Sequence, residues 1–399
     1  MFTVITLSEC LMLTFSLLTI VCLRKLLAVE PPPIFNIYRL PGQFYWFKVL
    51  FIYISLKLKG LKKVTINYDD IEKPQLLADN DKPIDAVYFN GANAKNDALI
   101  VGMARRKAPL IDGFLLLRLS TFKSGVLQSL RLPETSLTQI EPETGYCAEG
   151  ISLKPVVAKK KWEIKYDGQM RDAEGTLHTV QLKLYWTSEK ECFNFDHDMD
   201  PYLMATAIAK ERWNKEYFDL VKRIHQTHYE QPGDINGTAI IDGTVHEVNL
   251  KGLRDHSFGN HRDWRYFHRY ILHFCTLENG DQMNIGMVSM PLAFSLVYIG
   301  YYYNAAKNKM YALQACDFPF YQHGENGVPP VDYAFQFKAG DQEYIMEVNV
   351  IESNELYISK DCEAKIFESY SNYKVNGIKG WGHVELQYKN VAGKAANKI

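Results

Sequence analysis

Residues 268–290 read HRYILHFCTLENGDQMNIGMVSM, which is two apolar runs separated by the dipeptide Asn279-Gly280. Asparagine followed by glycine supplies the positive φ angles that a two-residue hairpin turn requires. The flanking runs, 268–277 and 282–290, are therefore predicted to be paired antiparallel strands.

The regions on either side of this hairpin carry the same type of signal. Asp242-Gly243 separates a run that ends at Ile241 from one that starts at Val245, and so predicts a second hairpin. Elsewhere apolar and polar residues alternate with a period of two, which places the apolar residues on one face of a strand. Three such apolar sets are Trp162, Ile164 and Tyr166; Val180, Leu182, Leu184 and Trp186; and Tyr344, Met346, Val348 and Val350. Many strands at this spacing favour an antiparallel sandwich or barrel.

One stretch has helical periodicity instead. Between residues 201 and 230, apolar residues recur at steps of three and four. Asp200-Pro201 is a good helix start, and Pro232-Gly233 is a good stop. The sequence thus predicts strands over 85–195, helices over 200–230 and strands over 235–390.

Composition limits the class of protein. The 399 residues are 47% hydrophobic and 13% aromatic, which is typical of a packed body and not of a disordered chain. A net charge of −1 gives no general attraction to nucleic acid, so a nucleic-acid partner is not expected.

Residues 3–23 are apolar apart from Glu9 and a few Ser and Thr residues. As a helix they would be about 31 Å long, which matches a hydrocarbon core of about 30 Å. No Lys or Arg precedes the run and no small-x-small cleavage site follows it, as a signal peptide would require. The sequence therefore predicts an uncleaved transmembrane anchor.

Positive charge follows the predicted anchor and does not precede it. The basic residues are Arg24, Lys25, Lys57, Lys59, Lys62 and Lys63. Because positive flanks stay on the cytoplasmic side, we expect the folded body in the cytosol, at the endoplasmic reticulum or another internal membrane. Five cysteines outside the anchor have no paired spacing and also favour free cytosolic thiols: Cys147, Cys192, Cys275, Cys316 and Cys362. One glycosylation triplet, Asn236-Gly237-Thr238, points to the lumen instead.

Residues 44–58, FYWFKVLFIYISLKL, form a second apolar stretch that is short and interrupted by Lys48. Aromatic and basic residues around such a stretch are typical of a helix lying at the membrane interface. A second membrane span and a helix packed on the folded body are the alternatives.

The densest polar cluster is residues 254–264, RDHSFGNHRDW. Its Arg-Asp pairs can form bidentate ion pairs, and a histidine beside an aspartate has its tautomer fixed. Three interpretations are open: a buried ion-pair network that closes one end of a barrel, a polar site at the mouth of an apolar cavity, or acid–base catalysis by His256 with Asp255 or Asp263.

Metal and cofactor sites are not expected. The spacings of His256, His261, His268 and His273 match no common zinc pattern. Residues 196–200, DHDMD, lack the glycine and terminal glutamate of a calcium loop and are a better cap for the helix that follows. The sequence also has no Gly-rich phosphate loop, no Gly-x-Ser-x-Gly elbow and no Cys-x-x-Cys pair.

Several segments resemble the N-terminal region of animal phosphoenolpyruvate synthase-like proteins. They are 85–93 (DAVYFNGAN), Ala104-Arg105-Arg106, 195–201, 225–230 (HQTHYE) and 254–259 (RDHSFG). The resemblance covers about residues 40–390. The ATP-grasp and phospho-histidine domains of the longer members have no counterpart in these 399 residues, so the resemblance does not imply their activity.

The 254–264 element, together with 380–385 (GWGHVE), is also similar to the group of AttH-like and carotenoid-hydratase-like proteins. That group includes a ceramide-carrying survival factor of yeast, and its members share two lipocalin-like barrels. Phe258 stands where Trp is commoner in the motif. We therefore expect a ligand site formed by Arg254, Asp255, His256, Arg262, Asp263, Trp264, Trp381 and Glu385.

The expected fold is mainly β, with two lipocalin-like antiparallel barrels or sandwiches joined by a helical bridge after an N-terminal transmembrane helix. The expected boundaries are 1–30 for the anchor, 31–82 for an interfacial helix and linker, 83–199 for the first β domain, 200–232 for the bridge, 233–391 for the second β domain and 392–399 for a tail. We expect a membrane-anchored protein that binds or carries an apolar, lipid-like molecule. The alternatives are a hydratase or isomerase of such a molecule and a non-catalytic scaffold with filled barrels.

Overall fold

The computed structural model describes residues 6–27, 29–60, 66–79, 82–139 and 145–391. The predicted tail and the lysines at 62 and 63 lie outside these residues. The described helices are α1 (Leu7–Leu27), α2 (Tyr45–Gly60), α3 (Tyr68–Ile71), α4 (Pro201–Lys210) and α5 (Lys215–Arg223).

The rest is mainly antiparallel β structure in two sheets, as predicted. The first sheet, called the N-terminal unit below, contains β1 (Ile84–Ala92), β2 (Ala98–Arg105), β3 (Leu110–Arg118), β4 (Val126–Ser129), β5 (Ser136–Thr138), β6 (Tyr146–Ala148), β7 (Ile151–Val157), β8 (Lys161–Arg171), β9 (Leu177–Thr187), β10 (Phe193–Asn194), β11 (Thr227–Ile241) and β12 (Thr244–Gly259). The second sheet, called the barrel below, contains β13 (Arg269–Leu277), β14 (Gln282–Met290), β15 (Phe294–Asn304), β16 (Lys309–Cys316), β17 (Asp332–Ala339), β18 (Gln342–Ile358), β19 (Ala364–Val375) and β20 (Ile378–Lys389).

In the N-terminal unit, the strands β12, β1, β2, β3, β4 and β8 are neighbours in that order. β9 pairs with β8 on one side and with β11 on the other, while β11 pairs with β12. The pairing therefore returns to its starting strand. The inside is filled by a large apolar cluster that includes Trp162, Ile164, Val180, Leu184 and Trp186, all fully buried. The period-two alternation of β8 and β9 is confirmed.

The eight strands of the barrel pair in sequence order, and β20 closes onto β13. Its interior is packed with aromatic and aliphatic side chains, among them Phe318, Phe335, Phe337 and Met346. A third apolar cluster lies between the two units and includes Phe114, Trp264, Tyr270, Ile358 and Ile366. The two units are thus joined by a packed interface.

Both predicted hairpins are present. Ile241 pairs with Thr244 around Asp242 and Gly243, whose φ angles are 48° and 81°. These values fit a two-residue turn of type I′. At Asn279-Gly280 the strands are joined by four residues, 278–281, with a positive φ of 90° at Gly280. The two-residue turn predicted here is therefore wrong, because the Asn279 side chain accepts a hydrogen bond from the backbone of Asp281 and forms a longer turn.

The predicted helical stretch divides into α4 and α5. Asp200 caps α4 by accepting hydrogen bonds from the backbone N–H groups of Tyr202 and Leu203, both at 2.9 Å. The expected stop at Pro232-Gly233 is wrong, since both residues lie inside β11, which begins at Thr227.

These helices do not join the two β units. They lie between β10 and β11, and both of these strands belong to the N-terminal unit. β11 and β12 pair with β9 and β1, so residues 227–259 complete the first sheet, whereas the sequence assigned residues 233 onward to a second domain. The link between the units is the segment 260–268, which contains a short 3₁₀ turn at Trp264–Tyr266.

The predicted anchor coincides with α1. Among the described residues, however, no helix combines the length and the apolar composition needed to cross a bilayer. The predicted interfacial stretch coincides with α2, which packs on α4 through Tyr45, Val49, Ala205 and Ala209.

Candidate functional site

A cavity of about 450 Å³ lies between the N-terminal unit and the outer face of the barrel. Most of the side chains that line it are apolar, and they come from both units and from the segments around α4 and α5. Examples are Phe114, Met199, Met204, Phe274, Val297 and Ile366. The cavity therefore lies outside the barrel interior, although an eight-stranded barrel can itself enclose one small ligand.

Small residues create the space on the side of the N-terminal unit. Ala86 of β1 pairs with Ala104 of β2 and with Ser257 of β12, and all three line the cavity. Gly102 lies beside them, with the ring of Phe114 only 2.9 Å from the place where a Cβ atom would be. The sheet face is open here because these adjacent positions on three neighbouring strands carry small side chains.

His228 and Asp255 provide a polar pair on this face. The His228 Nε2 atom forms a short hydrogen bond to Asp255 Oδ2, and its ring stacks on Phe195 at 4.1 Å. Burial lowers the pKa of His228, but the acidic groups around its ring, chiefly Asp255 through its charge and its hydrogen bond, together raise the pKa overall. The pair therefore favours a charged imidazolium beside a carboxylate.

Glu230 lies behind this pair, fully buried on β11 and next to Asp255 on β12. Its carboxylate accepts two hydrogen bonds from Asn284 Nδ2, at 2.8 and 3.0 Å. Burial raises the pKa of Glu230 well above its ordinary value, and Asp255 raises it further. Glu230 thus favours the neutral form.

The barrel contributes two buried carboxyl groups, Glu368 and Glu385, which are paired across β19 and β20. Tyr270 donates a short hydrogen bond to Glu385, and Tyr88 donates one of 3.2 Å to Glu368. Burial raises the pKa of each carboxyl, and the negative charge of Glu385 raises that of Glu368 further. At neutral pH the pair therefore favours holding at least one proton, which faces an apolar space.

Arg262 is a cation that lines the cavity. Its guanidinium donates to Gln226 Oε1 at 2.7 Å and to Ser257 Oγ at 2.9 Å. Burial lowers its pKa to about 10, and the nearby charge of Arg106 acts in the same direction. Arg262 and His228 lower the pKa of Glu385 while Asp255 raises it, so groups on the two sides of the cavity interact electrostatically.

Arg254, a predicted site residue, does not line the cavity. Its fully buried guanidinium forms a 2.6 Å ion pair with Glu72 and lies 5.0 Å from the ring centre of Trp186. Glu72 also accepts a hydrogen bond from Trp162 Nε1 at 2.7 Å. Arg254 therefore belongs to an ion-pair network inside the N-terminal unit.

His256, the predicted acid–base residue, also faces the inside of that unit. Its Nε2 atom lies 2.8 Å from Asp85 Oδ1, and its Nδ1 atom lies 2.8 Å from the Tyr229 hydroxyl. Burial raises the pKa of Asp85, but its interactions with His256, Tyr146 and the backbone N–H of Gln75 together lower it overall. His256 and Asp255 point to opposite faces because successive residues of a strand alternate, so they cannot form the predicted pair.

The remaining predicted residues divide between the cavity and its surroundings. Trp264 and Glu385 line the cavity together with Asp255 and Arg262. Asp263 instead forms ion pairs with Arg265 and Lys82, the second at 3.3 Å. Trp381 packs in the interface cluster beside the cavity. Half of the predicted site residues are thus brought together, and the rest hold the structure around them.

One group of the described residues could hold a metal ion. One ligand atom each from His228, Glu230 and Asp255 lies within 4.8 Å of the others. The fit is poor, because His228 Nε2 is already bonded to Asp255 and the Glu230 carboxyl favours its neutral form. We assign no metal to this group.

Sequence reasoning missed His228, Glu368 and Tyr270 as cavity groups. The segment 225–230 was predicted to be helical and was singled out only for a resemblance. The sequence does carry a signal for Glu368, because this glutamate lies among apolar and small residues of a strand pattern, in the run Phe367–Tyr370. The pairing with Glu385 is a long-range contact that a single sequence does not indicate.

The fold and site define a mainly antiparallel β protein, built from a twelve-stranded sheet and an eight-stranded barrel with an apolar cavity between them. The chain belongs to the family of unknown function DUF8627, whose model matches residues 11–388. No curated protein sequence matches the chain.

Several solved structures are similar to it at low sequence identity. A crystal structure assigned as AttH from Nitrosomonas europaea has 11% identity and a TM-score of 0.49, covering 82% of this chain and 98% of that one. Kievitone hydratase from Nectria haematococca has 11% identity and a TM-score of 0.45, covering 81% and 93%. CghA with Sch210972 has 9% identity and a TM-score of 0.42, covering 77% and 88%. The resemblance to phosphoenolpyruvate synthase-like proteins is not tested by these findings and stays a prediction.

Proposed function

We propose that the protein binds one mainly apolar, lipid-like molecule in the cavity between its two β units. The observation that carries this proposal is the cavity itself: about 450 Å³, lined mostly by apolar side chains, with its polar groups from both units. Ligand sites are typically concave spaces of about 300–1,000 Å³ with a few placed polar groups. Because the interior of the barrel is packed with side chains, we place the ligand in this cavity and not inside the barrel.

The polar groups specify the chemistry of the ligand. Arg262 has donors for an oxygen of the ligand, and a protonated Glu385 or Glu368 has one more. We therefore propose that the ligand has an apolar body and an oxygen-bearing end, such as a carbonyl, hydroxyl or carboxylate. An oxygen placed beside Arg262 would share the hydrogen bonds that the guanidinium now makes with Gln226 and Ser257.

Filling the cavity tests this proposal. Ala104→Phe adds a ring to the cavity wall on β2, so binding of the fluorescent fatty acid cis-parinaric acid should weaken at least tenfold. Ala334→Phe is the matched control, because Ala334 is exposed on β17 of the barrel. Fluorescence titration measures both. Equal affinity in the parent protein and the Ala104→Phe protein would refute the cavity as the binding site.

An acid–base enzyme is the second candidate. The observation that favours it is the pair of buried carboxyls, Glu368 and Glu385, beside an apolar space. Burial raises the pKa of both, and a carboxylic acid that is neutral near pH 7 can serve as a proton donor. The donor would be Glu385, with His228 and Asp255 as the opposite polar pair. This replaces the predicted His256, which faces away from the cavity.

The variant Glu385→Gln distinguishes a carrier from an enzyme. Glutamine keeps the size and hydrogen bonding of the side chain but cannot donate a carboxyl proton. A carrier should retain the same bound molecule in both proteins, whereas an enzyme should retain unconverted substrate only in the variant. Mass spectrometry of the extracted molecule separates these outcomes. A protein that never holds a ligand would favour the scaffold.

We further propose the location predicted from the basic residues, an internal membrane with the folded body in the cytosol. Protease treatment of intact microsomes should then digest the body. Asn236 has an exposed side chain in β11, so a glycan there, together with protection of the body, would contradict this location.

A further inference from the structure

Helix α2 has apolar residues on both faces, and one of these faces is largely exposed, with Phe51 near Trp213 at its edge. Tyr45 and Val49 are buried against α4. The opposite face exposes six large apolar side chains, between 48% and 67% of each surface: Trp46, Phe47, Leu50, Phe51, Ile54 and Leu58. These six residues are called the α2 apolar face below.

The spacing of these residues makes them one continuous surface. Positions 46, 50, 54 and 58 and positions 47, 51, 54 and 58 recur at steps of three and four, so they lie on one side of a helix. Contiguous exposed apolar surfaces of this kind mark interaction sites, whereas single exposed apolar residues do not.

The charges of α2 select the type of partner. The helix contains no acidic residue; its ionisable residues other than tyrosine are Lys48, Lys57 and Lys59. Lys48 is engaged in the fold, since its Nζ donates to the carbonyl of Glu211 at 2.8 Å. Lys57 and Lys59 are exposed in the last turn. A helix with an apolar face, an aromatic residue near one end and lysines at the other fits a membrane surface with anionic lipids.

We propose that the α2 apolar face lies in the headgroup region of an anionic bilayer. Trp46 and Phe47 enter the boundary of the acyl chains, and Lys57 and Lys59 pair with anionic headgroups. The apolar face then exchanges water for lipid, and the buried face keeps its contacts with α4.

This placement puts the membrane next to the cavity. α4 contacts α2 through Ala205 and Ala209, and its Met204 lines the cavity. A chain of aromatic rings continues from Phe51 to Trp213 at 6.1 Å and on to Phe218 of α5 at 5.8 Å. α5 lines the cavity with Val221. Entry of ligand from the bilayer along these helices rests on the function proposed above, whereas the membrane contact of α2 does not.

Quenching of tryptophan fluorescence by brominated acyl chains tests the membrane contact with the full chain. α1 contains no tryptophan, so a fluorescence change that depends on Trp46 reports membrane contact of α2 and not of α1. In vesicles of phosphatidylcholine with phosphatidylserine, the parent should show a blue-shifted, quenched component that Trp46→Phe removes. The control Trp381→Phe, in the interface between the β units, should leave the quenching unchanged.

The lysines give a second arm of the experiment. The double variant Lys57→Gln, Lys59→Gln should lower the binding constant of the protein for these vesicles roughly thirtyfold, measured through quenching of Trp46. Each lysine near an anionic surface raises that constant by about a factor of five. Quenching that is identical in the parent and the Trp46→Phe protein would overturn the proposal. A parent protein whose α2 apolar face is instead covered by a second copy, seen as a dimer with unquenched Trp46, would overturn it as well. Binding of cis-parinaric acid is independent of both results, so failure here is distinguishable from failure of the ligand proposal.

Discussion

Arg254 and Asp255 are neighbours in the chain, yet the first is enclosed in the N-terminal unit and the second lines the cavity. The same alternation separates His256 from Ser257. Arg254 forms its ion pair with Glu72, 182 positions earlier, and not with an aspartate of its own cluster. The role of each residue is thus decided by the face of β12 on which it lies.

The Arg254–Glu72 pair gives a prediction about stability. Glu72→Gln keeps a hydrogen-bond acceptor for Trp162 but removes the charge that compensates a fully buried guanidinium. Breaking a buried pair on one side costs about 3–5 kcal/mol. Urea denaturation followed by circular dichroism should show a loss of this size in the free energy of unfolding.

The exposed pair Lys159–Glu191 is the control for this measurement. The side chain of Glu191 is 83% exposed, so Glu191→Gln should cost less than about 1 kcal/mol. If the two variants were equally stable, the Arg254–Glu72 pair would not be a supporting element of the fold.

At the scale of elements, local signals were sufficient for the strands and hairpins but not for their grouping. The Asp242-Gly243 turn was predictable because its two residues fix the backbone geometry. The membership of β11 and β12 in the first sheet was not, because β12 pairs with β1, whose partner residues are more than 150 positions away. The helices before β11 suggested a domain boundary at that point, but β11 and β12 pair with β9 and β1 of the first sheet.

The contact between β1 and β12 gives the prediction at this scale. Gly252 of β12 pairs with Gly91 of β1, and a Cβ atom at Gly252 would lie 1.8 Å from the carbonyl oxygen of Asn90. Gly252→Ala must therefore push the two strands apart, at a cost of about 1–3 kcal/mol or more. Thermal unfolding should show a clearly lower midpoint.

A matched glycine is available at the end of α2. Among the described residues, no atom lies within 4 Å of a Cβ placed at Gly60, so Gly60→Ala should leave the midpoint unchanged or raise it slightly. A Gly252→Ala protein with the parent's midpoint would mean that the two strands are not in close contact.

At the scale of the whole molecule, the functional space arises where the two β units meet. The sequence predicted the polar cluster, and four of the eight predicted site residues line the cavity, namely Asp255, Arg262, Trp264 and Glu385. It did not predict where the cavity lies, because from Gly252 onward both faces of β12 carry buried residues and no solvent-facing side indicates which face meets the barrel. The pairing of Glu368 with Glu385 likewise depends on the register of β19 and β20.

Native mass spectrometry of the purified full chain, followed by solvent extraction, tests the central claim most directly. We expect one apolar molecule with an oxygen-bearing end per chain, present in the parent and in the Ala334→Phe protein and depleted in the Ala104→Phe protein. A parent protein that is consistently free of any such molecule, and that takes up none from a lipid extract, would contradict the account.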